Sequence, residues 1–146
     1  MTGKFLFIPV DVNRRESGVT CKVRSDQTDN RYTVLELVLP PGEGAPFHVH
    51  QREDEIMLVV EGECEVRHGD NTYIAPPGTI VVFPKGQPHA FRNTGQVPNR
   101  LMITAVPGGL DRYFDEIQAL LAGGHVTQDA LDDINRRYEI DFSPQG

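Results

Sequence analysis

Three histidines and one glutamate in this chain stand at spacings that suit a single metal ion. His48 and His50 flank Val49, Glu55 follows five residues after His50, and His89 comes in a later stretch. Side chains alternate faces along a strand, so His48 and His50, two apart, point the same way. Glu55 opens the apolar run at 56–60, and His89 sits in the strand-like run Pro88-His89-Ala90-Phe91-Arg92, so two further strands can each present one ligand. Three imidazoles and a carboxylate suit a borderline divalent ion such as iron, nickel, zinc or manganese. On a metal that takes six ligands this set leaves two positions open, where water, dioxygen or a chelating substrate would bind. Glu53 and Asp54 offer the same chemistry. Glu53 shares the parity of Glu55 but falls in the expected turn, and Asp54 faces the other way, so both are read as solvated charges.

The elements that must position these groups are mostly strands. Strands are expected over residues 32–39, 56–60, 64–67, 72–74, 79–83, 89–92 and 101–106, with turn signals between them such as Pro40-Pro41-Gly42, Gly69-Asp70-Asn71 and Pro76-Pro77-Gly78. Many short strands with frequent turns suggest an all-β jelly roll or another small antiparallel barrel. Counting parity from the ligands turns Met57 and Val59 inward with Glu55, and Phe91 and Asn93 inward with His89, which makes these four the expected substrate pocket. Arg52, Arg67, Lys85 and Arg92 fall on turns or outward positions. The pocket therefore suits an uncharged or aromatic oxygen-bearing compound better than a sugar phosphate or nucleotide.

Residues 56–60 and 80–83 are apolar on both faces, whereas a strand with one solvated face alternates. A small barrel covers only the inner face, so a second sheet or a partner subunit is expected on the outer one, and a homodimer is the simplest form. After Gly108-Gly109 the pattern becomes helical, with Leu110, Tyr113, Phe114, Ile117, Leu120 and Leu121 on one face and Gly123-Gly124 ending the segment. A second, shorter helix starts near Thr127 and carries Leu131, Ile134 and Tyr138. These helices either pack on the outside of the barrel or lid the pocket.

A chain of 146 residues can bury one sizeable core. Its 14 Lys and Arg against 21 Asp and Glu leave a net charge of −7, with no basic run to track phosphates, which argues against nucleic acid and anionic membrane as partners. The early apolar run at 5–10 is interrupted by Pro9 and too short for a signal-peptide core, so a cytoplasmic location is expected. Cys21 and Cys64 form no metal or redox motif, and Cys64 is expected to face inward as a packing group. His68 and His125 read as exposed and incidental.

The spacing as a whole resembles the cupin superfamily. Gly42, His48, His50, Glu55 and Gly62 stand at the positions of its first motif, and Gly78, Pro84, Gly86, His89 and Asn93 at those of its second. The resemblance covers residues 32–106 and implies a cupin-type jelly-roll β-barrel there, with 1–31 as an N-terminal segment packing on the barrel and 107–146 as a C-terminal helical extension of the same domain. The stretches around His48 and His89 and the Pro107-Gly108-Gly109-Leu110 entry to a helix look like single-domain bacterial cupins akin to quercetin 2,3-dioxygenase. In those enzymes the three histidines and the glutamate bind the metal, and dioxygen opens a flavonol with loss of carbon monoxide. The resemblance thus implies one divalent transition metal per chain (Fe, Mn, Ni, Co, Cu or Zn) on His48, His50, Glu55 and His89. Glu55 would act as ligand, as general base for the substrate hydroxyl, or as one and then the other. Two other classes fit the same residues: a small-molecule binding module with no turnover, and a metal-dependent isomerase, cyclase or lyase that needs no dioxygen.

Overall fold

The computed structural model describes residues 3–11 and 14–142. The outermost parts of the expected terminal segments, residues 1–2 and 143–146, and also 12–13, lie outside the described residues. The chain forms β1 (Gly18–Val23), β2 (Thr33–Leu39), β3 (Gly44–His50), β4 (Asp54–Glu61), β5 (Cys64–His68), β6 (Asn71–Ala75), β7 (Ile80–Phe83), β8 (His89–Arg92) and β9 (Asn99–Val106). Helices α1 (Leu110–Ala122) and α2 (Gln128–Arg137) and the short strand β10 (Ile140–Asp141) follow. The strands make two five-stranded antiparallel sheets, in the orders β1-β2-β9-β4-β7 and β10-β3-β8-β5-β6. This is the jelly roll with short C-terminal helices that the strand and turn pattern predicts. Among the described residues, no helix is long and apolar enough to cross a membrane.

The inward faces of the two sheets meet in one core. Met57, Val59, Leu101 and Ile103 from the first sheet pack with Cys64, Val66, Ala75 and Phe91 from the second. Met57, Cys64 and Leu101 are fully buried, and each large apolar side chain withdrawn from water contributes about 1.5–3 kcal/mol. A second cluster sits where the helices meet the barrel: Leu35 and Ala105 from the first sheet pack with Leu110, Tyr113, Ile134 and Ile140. One end of the jelly roll is therefore closed by its own side chains, and the other by α1, α2 and β10.

Close strand approach beside the histidines depends on Gly44. A Cβ there would lie 2.2 Å from the Phe91 carbonyl oxygen, so only glycine lets β3 and β8 pair at this point. The turn before it is tied to β8 by Gly42 N–H donating to the Asn93 carbonyl and Asn93 N–H to that of Glu43, both at 2.8 Å. Gly62, at φ 73° between β4 and β5, would clash with the Pro98 carbonyl and the Asn99 side chain if it carried a Cβ.

Helix α1 starts directly after Gly109, and α2 is capped by the Thr127 hydroxyl accepting from Ala130 N–H at 3.1 Å. Three strands lie outside the expected ranges: β3, implied only by the alternation of His48 and His50, and β1 and β10, for which the sequence reading has no counterpart. β1 forms the edge of the first sheet beside β2. β10 pairs antiparallel with β3, Ile140 opposite His50 and Asp141 opposite Val49.

Candidate metal centre

His48 and His50 lie on β3, and His89 on β8 stands directly opposite His48 in the antiparallel ladder. Glu55 comes from β4 in the other sheet. All four side chains are buried, and one ligand atom from each lies within 4.8 Å of the others. Glu55 Oε1 is 3.2 Å from His50 Nε2 and 3.4 Å from His89 Nε2. The His48 and His89 rings meet edge to face, 4.5 Å between centroids.

Backbone contacts set the ring orientations of two histidines. His48 Nδ1 is 2.8 Å from the Pro46 carbonyl oxygen, and His89 Nδ1 is 3.3 Å from that of Gln87. A carbonyl only accepts, so these contacts place the proton on Nδ1 and leave the Nε2 lone pair for the centre. His89 Nε2 and Glu55 Oε1 are buried with no hydrogen-bond partner among the described residues. Unpaired buried polar atoms that converge on one point, in a nitrogen-and-oxygen donor set, fit a borderline divalent ion.

The electrostatics favour the ligand forms of His48 and Glu55 and oppose that of His50. Burial, followed by the neighbouring His50 and His89, pushes the His48 pKa down to about 4, so this imidazole is neutral at pH 7. Burial opposes charge on Glu55, yet the His89 contact and the other imidazoles together hold its carboxyl below the usual range. For His50 burial is again opposed and outweighed, here by the Glu53 and Glu55 carboxylates, which raise its pKa.

A cavity of about 220 Å³ opens beside His48, His50 and Glu55. Its walls are apolar: Leu35, Leu37 and Leu39 of β2 and Ile103 of β9 on one side, Phe91 of β8 on another, and Leu110, Tyr113 and Phe114 of α1 across the end. Ile140 and Phe142 complete it, and the Phe142 ring stacks over His48 with centroids 5.2 Å apart. Among the described residues, no Lys or Arg lines it.

Of the residues that parity assigns to the pocket, Phe91 faces this cavity. Met57 and Val59 point inward with Glu55 but lie deeper, in the packed core between the sheets. Asn93 is buried in the turn after β8, where its amide donates to the Leu39 and Val97 carbonyls at 2.8 Å. The parity of β2 marks Leu35, Leu37 and Leu39 as one face, and the helical spacing marks Leu110, Tyr113 and Phe114. Nothing local to Ile140 or Phe142 signals their place.

Glu53 is a correction. It is only 4% exposed, not solvated, because its inward parity tucks it against the His50 ring, Oε1 lying 3.9 Å from Nδ1. Asp54 is exposed, and its Oδ1 accepts from Lys85 N–H at 2.9 Å. His68 and His125 are exposed, and Cys64 is fully buried, its thiol pushed up to about 11 by that burial.

Residues 35–105 match the Cupin domain family model. Protein SchB of Streptomyces halstedii is 36% identical over 70 residues, 48% of this chain and 51% of that protein. The chain spans about half or less of the length of the first curated relatives it matches. The structure of TT1209 from Thermus thermophilus superposes with a TM-score of 0.58 at 27% identity, covering 69% of this chain and 98% of that one. A conserved Klebsiella pneumoniae protein with a double-stranded β-helix domain superposes with a TM-score of 0.57 at 22% identity, covering 70% and 84%.

Proposed function

We propose that this chain, whose domain match and structural neighbours support placing it in the cupin superfamily, is a metal-dependent dioxygenase acting on a flavonol-like or other enolisable aromatic small molecule. The observation that carries this reading is the convergence of four buried ligand atoms on the wall of a small apolar cavity. Such a site gives a ligand apolar packing on most sides and a few polar groups at one end to fix its orientation. At about 220 Å³ the cavity lies below the usual range for drug-sized ligands, which favours the single-ring members of that substrate class.

His48, His50 and His89 would hold the metal as neutral imidazoles, with Glu55 as the fourth ligand. When bound, a divalent transition metal would supply Lewis-acid stabilisation of the enolate and its orientation toward dioxygen. Glu55, pointing at the same spot, accepts the proton of the substrate hydroxyl, a role that contributes about 10²–10⁴-fold. Phe91, Leu39 and Ile103 pack the substrate ring, and Phe142 with the α1 side chains keeps water from it.

Glu55 can move a proton without dioxygen, so an isomerase, cyclase or lyase on a carbonyl compound is the second reading, and ligand binding without turnover is the third. Elemental analysis of the purified protein beside His50→Ala, followed by oxygen uptake with flavonols and single-ring enols, tests them. About one redox-active metal per chain, lost in the variant, together with uptake supports the dioxygenase. Conversion under anaerobic conditions transfers the assignment to the isomerase class, and metal without conversion leaves the binding module.

A second copy of the chain is proposed to cover the outer face of the first sheet. Ile56, Leu58, Ile80 and Val82 are 38–64% exposed there and form one uncharged stripe across β4 and β7. An apolar stripe meets itself about a two-fold axis without opposing like charges, which suits an isologous dimer of a chain with net charge −7.

A further inference from the structure

The three imidazoles of the candidate centre are not held alike. His48 and His89 each have Nδ1 against a backbone carbonyl, whereas His50 Nδ1 has no hydrogen-bond partner among the described residues. The Glu53 carboxylate faces it, with Oε1 3.9 Å away. Glu53 Oε2 is likewise buried and unpartnered. At 3.9 Å the contact is too long for a hydrogen bond, but a small rotation of either side chain closes it. Burying a carboxylate is strongly unfavourable unless something inside needs it. Here a buried donor without a partner sits beside a carboxylate whose other oxygen is likewise buried without one.

We propose that Glu53 is a positioning residue for the metal centre, its buried carboxylate taking the Nδ1–H of His50 and so aiming the Nε2 of that ring at the point shared with Glu55 and His89. The inference rests on the reading of His48, His50, Glu55 and His89 as a metal site, and extends it to a residue outside the ligand set. Two consequences follow from the chemistry. The Nδ1–H tautomer of His50 is selected, so all three rings present Nε2. A carboxylate is also a stronger acceptor than a carbonyl, so His50 becomes a more electron-rich ligand than His48 or His89. One of the two inward-facing glutamates thus ligates, and the other, two residues earlier on the same side, orients a ligand.

Titration of the metal-free protein with Co²⁺, followed by its visible absorption, tests this on wild type, Glu53→Ala and Glu53→Gln. The expected result is a loss of about 10–100-fold in Co²⁺ affinity for the alanine variant. Glutamine, which still offers an oxygen to Nδ1, recovers much of that loss. The melting temperature of the metal-free alanine variant stays at or above that of wild type, because a buried charge has been removed. Wild-type affinity and spectrum in the alanine variant would overturn the proposal. So would equal losses in both variants accompanied by a lower metal-free melting temperature, which mark a purely structural role. Imidazole ¹⁵N spectra of the wild-type protein supply a check independent of any variant: the Nδ1–H tautomer at His50 is expected, and the Nε2–H tautomer refutes it. If wild type takes up no Co²⁺, the functional reading falls with the proposal, whereas uptake unaffected by Glu53→Ala removes Glu53 alone.

Discussion

The inward face of β4 carries Glu55, Met57 and Val59, which are 4%, 0% and 1% exposed, while its outward face carries Ile56, Leu58 and Val60 at 42%, 38% and 39%. Composition barely distinguishes the two faces, and both read as core. The inner one is covered because β5, β6 and β8 of the second sheet lie across it and interdigitate with it. The outer one meets water in the single chain. Alternation along a strand therefore decides which residues share a face, but only the second layer decides which face is the interior. The inner face also changes character along its length. Val59 and Met57 are packed solid, and at Glu55 the packing gives way to the cavity.

The largest expected effect comes from the end of that inner face. Glu55→Gln keeps the shape of the side chain and loses its charge, and turnover is expected to fall about 10²–10⁴-fold with the fold retained; steady-state kinetics beside circular dichroism checks it, and unchanged turnover removes Glu55 from the chemistry. Further along the same face, Met57→Ala leaves a cavity in a fully buried position and should cost about 2–5 kcal/mol in denaturant unfolding. A cost near zero would mean that the inner core is looser than its burial implies.

On the outer face the same kind of change should behave differently. Ile80→Ser is expected to alter the stability of the isolated chain by no more than about 0.5 kcal/mol, yet to shift the molecular mass in light scattering from two chains toward one. A wild-type monomer at micromolar concentration would leave the outer stripe without its proposed cover and restrict the comparison to a single chain.

The smallest effect belongs to neither face but to a charged clamp between the helices. Arg137 and Tyr138 on the α2 side donate to Glu116 of α1, and first the Arg137 contact, then that of Tyr138, lowers the Glu116 pKa to about 2. Because the folded value lies below the unfolded value of about 4.5, the contribution is present above that pH and is lost as the pH falls toward about 2. The clamp is exposed, so solvent screens it. Glu116→Gln should therefore lower the melting temperature slightly at pH 7, with the difference from wild type shrinking below about pH 4.5 and closing as the pH falls toward about 2.

Much of the strand framework is legible because period-2 patterning and turn residues are local signals. Cys64 and Val66 alternate with charged neighbours, and Gly62 and Gly78 mark where strands must end. The histidines at 48 and 50 share a face by the same rule. Glu53 reads as solvated because turn signals say nothing about what lies over a side chain, and the His50 ring that covers it folds back from the preceding strand. β10 has no signature because two residues carry no pattern of their own, and its place is set by the free edge of β3.

From sequence alone came the parity of each strand, the residue types of a nitrogen-and-oxygen ligand set, and the switch from strand to helix near Gly109. These depend on backbone geometry within a few residues. Only the tertiary structure set His89 opposite His48, brought Glu55 to both from the other sheet, and carried Phe142 back over His48. Those contacts join residues far apart in the chain, and they exist because burying the apolar faces of two sheets and two helices leaves few ways to stack them. The small cavity at the seam is what that stacking leaves open.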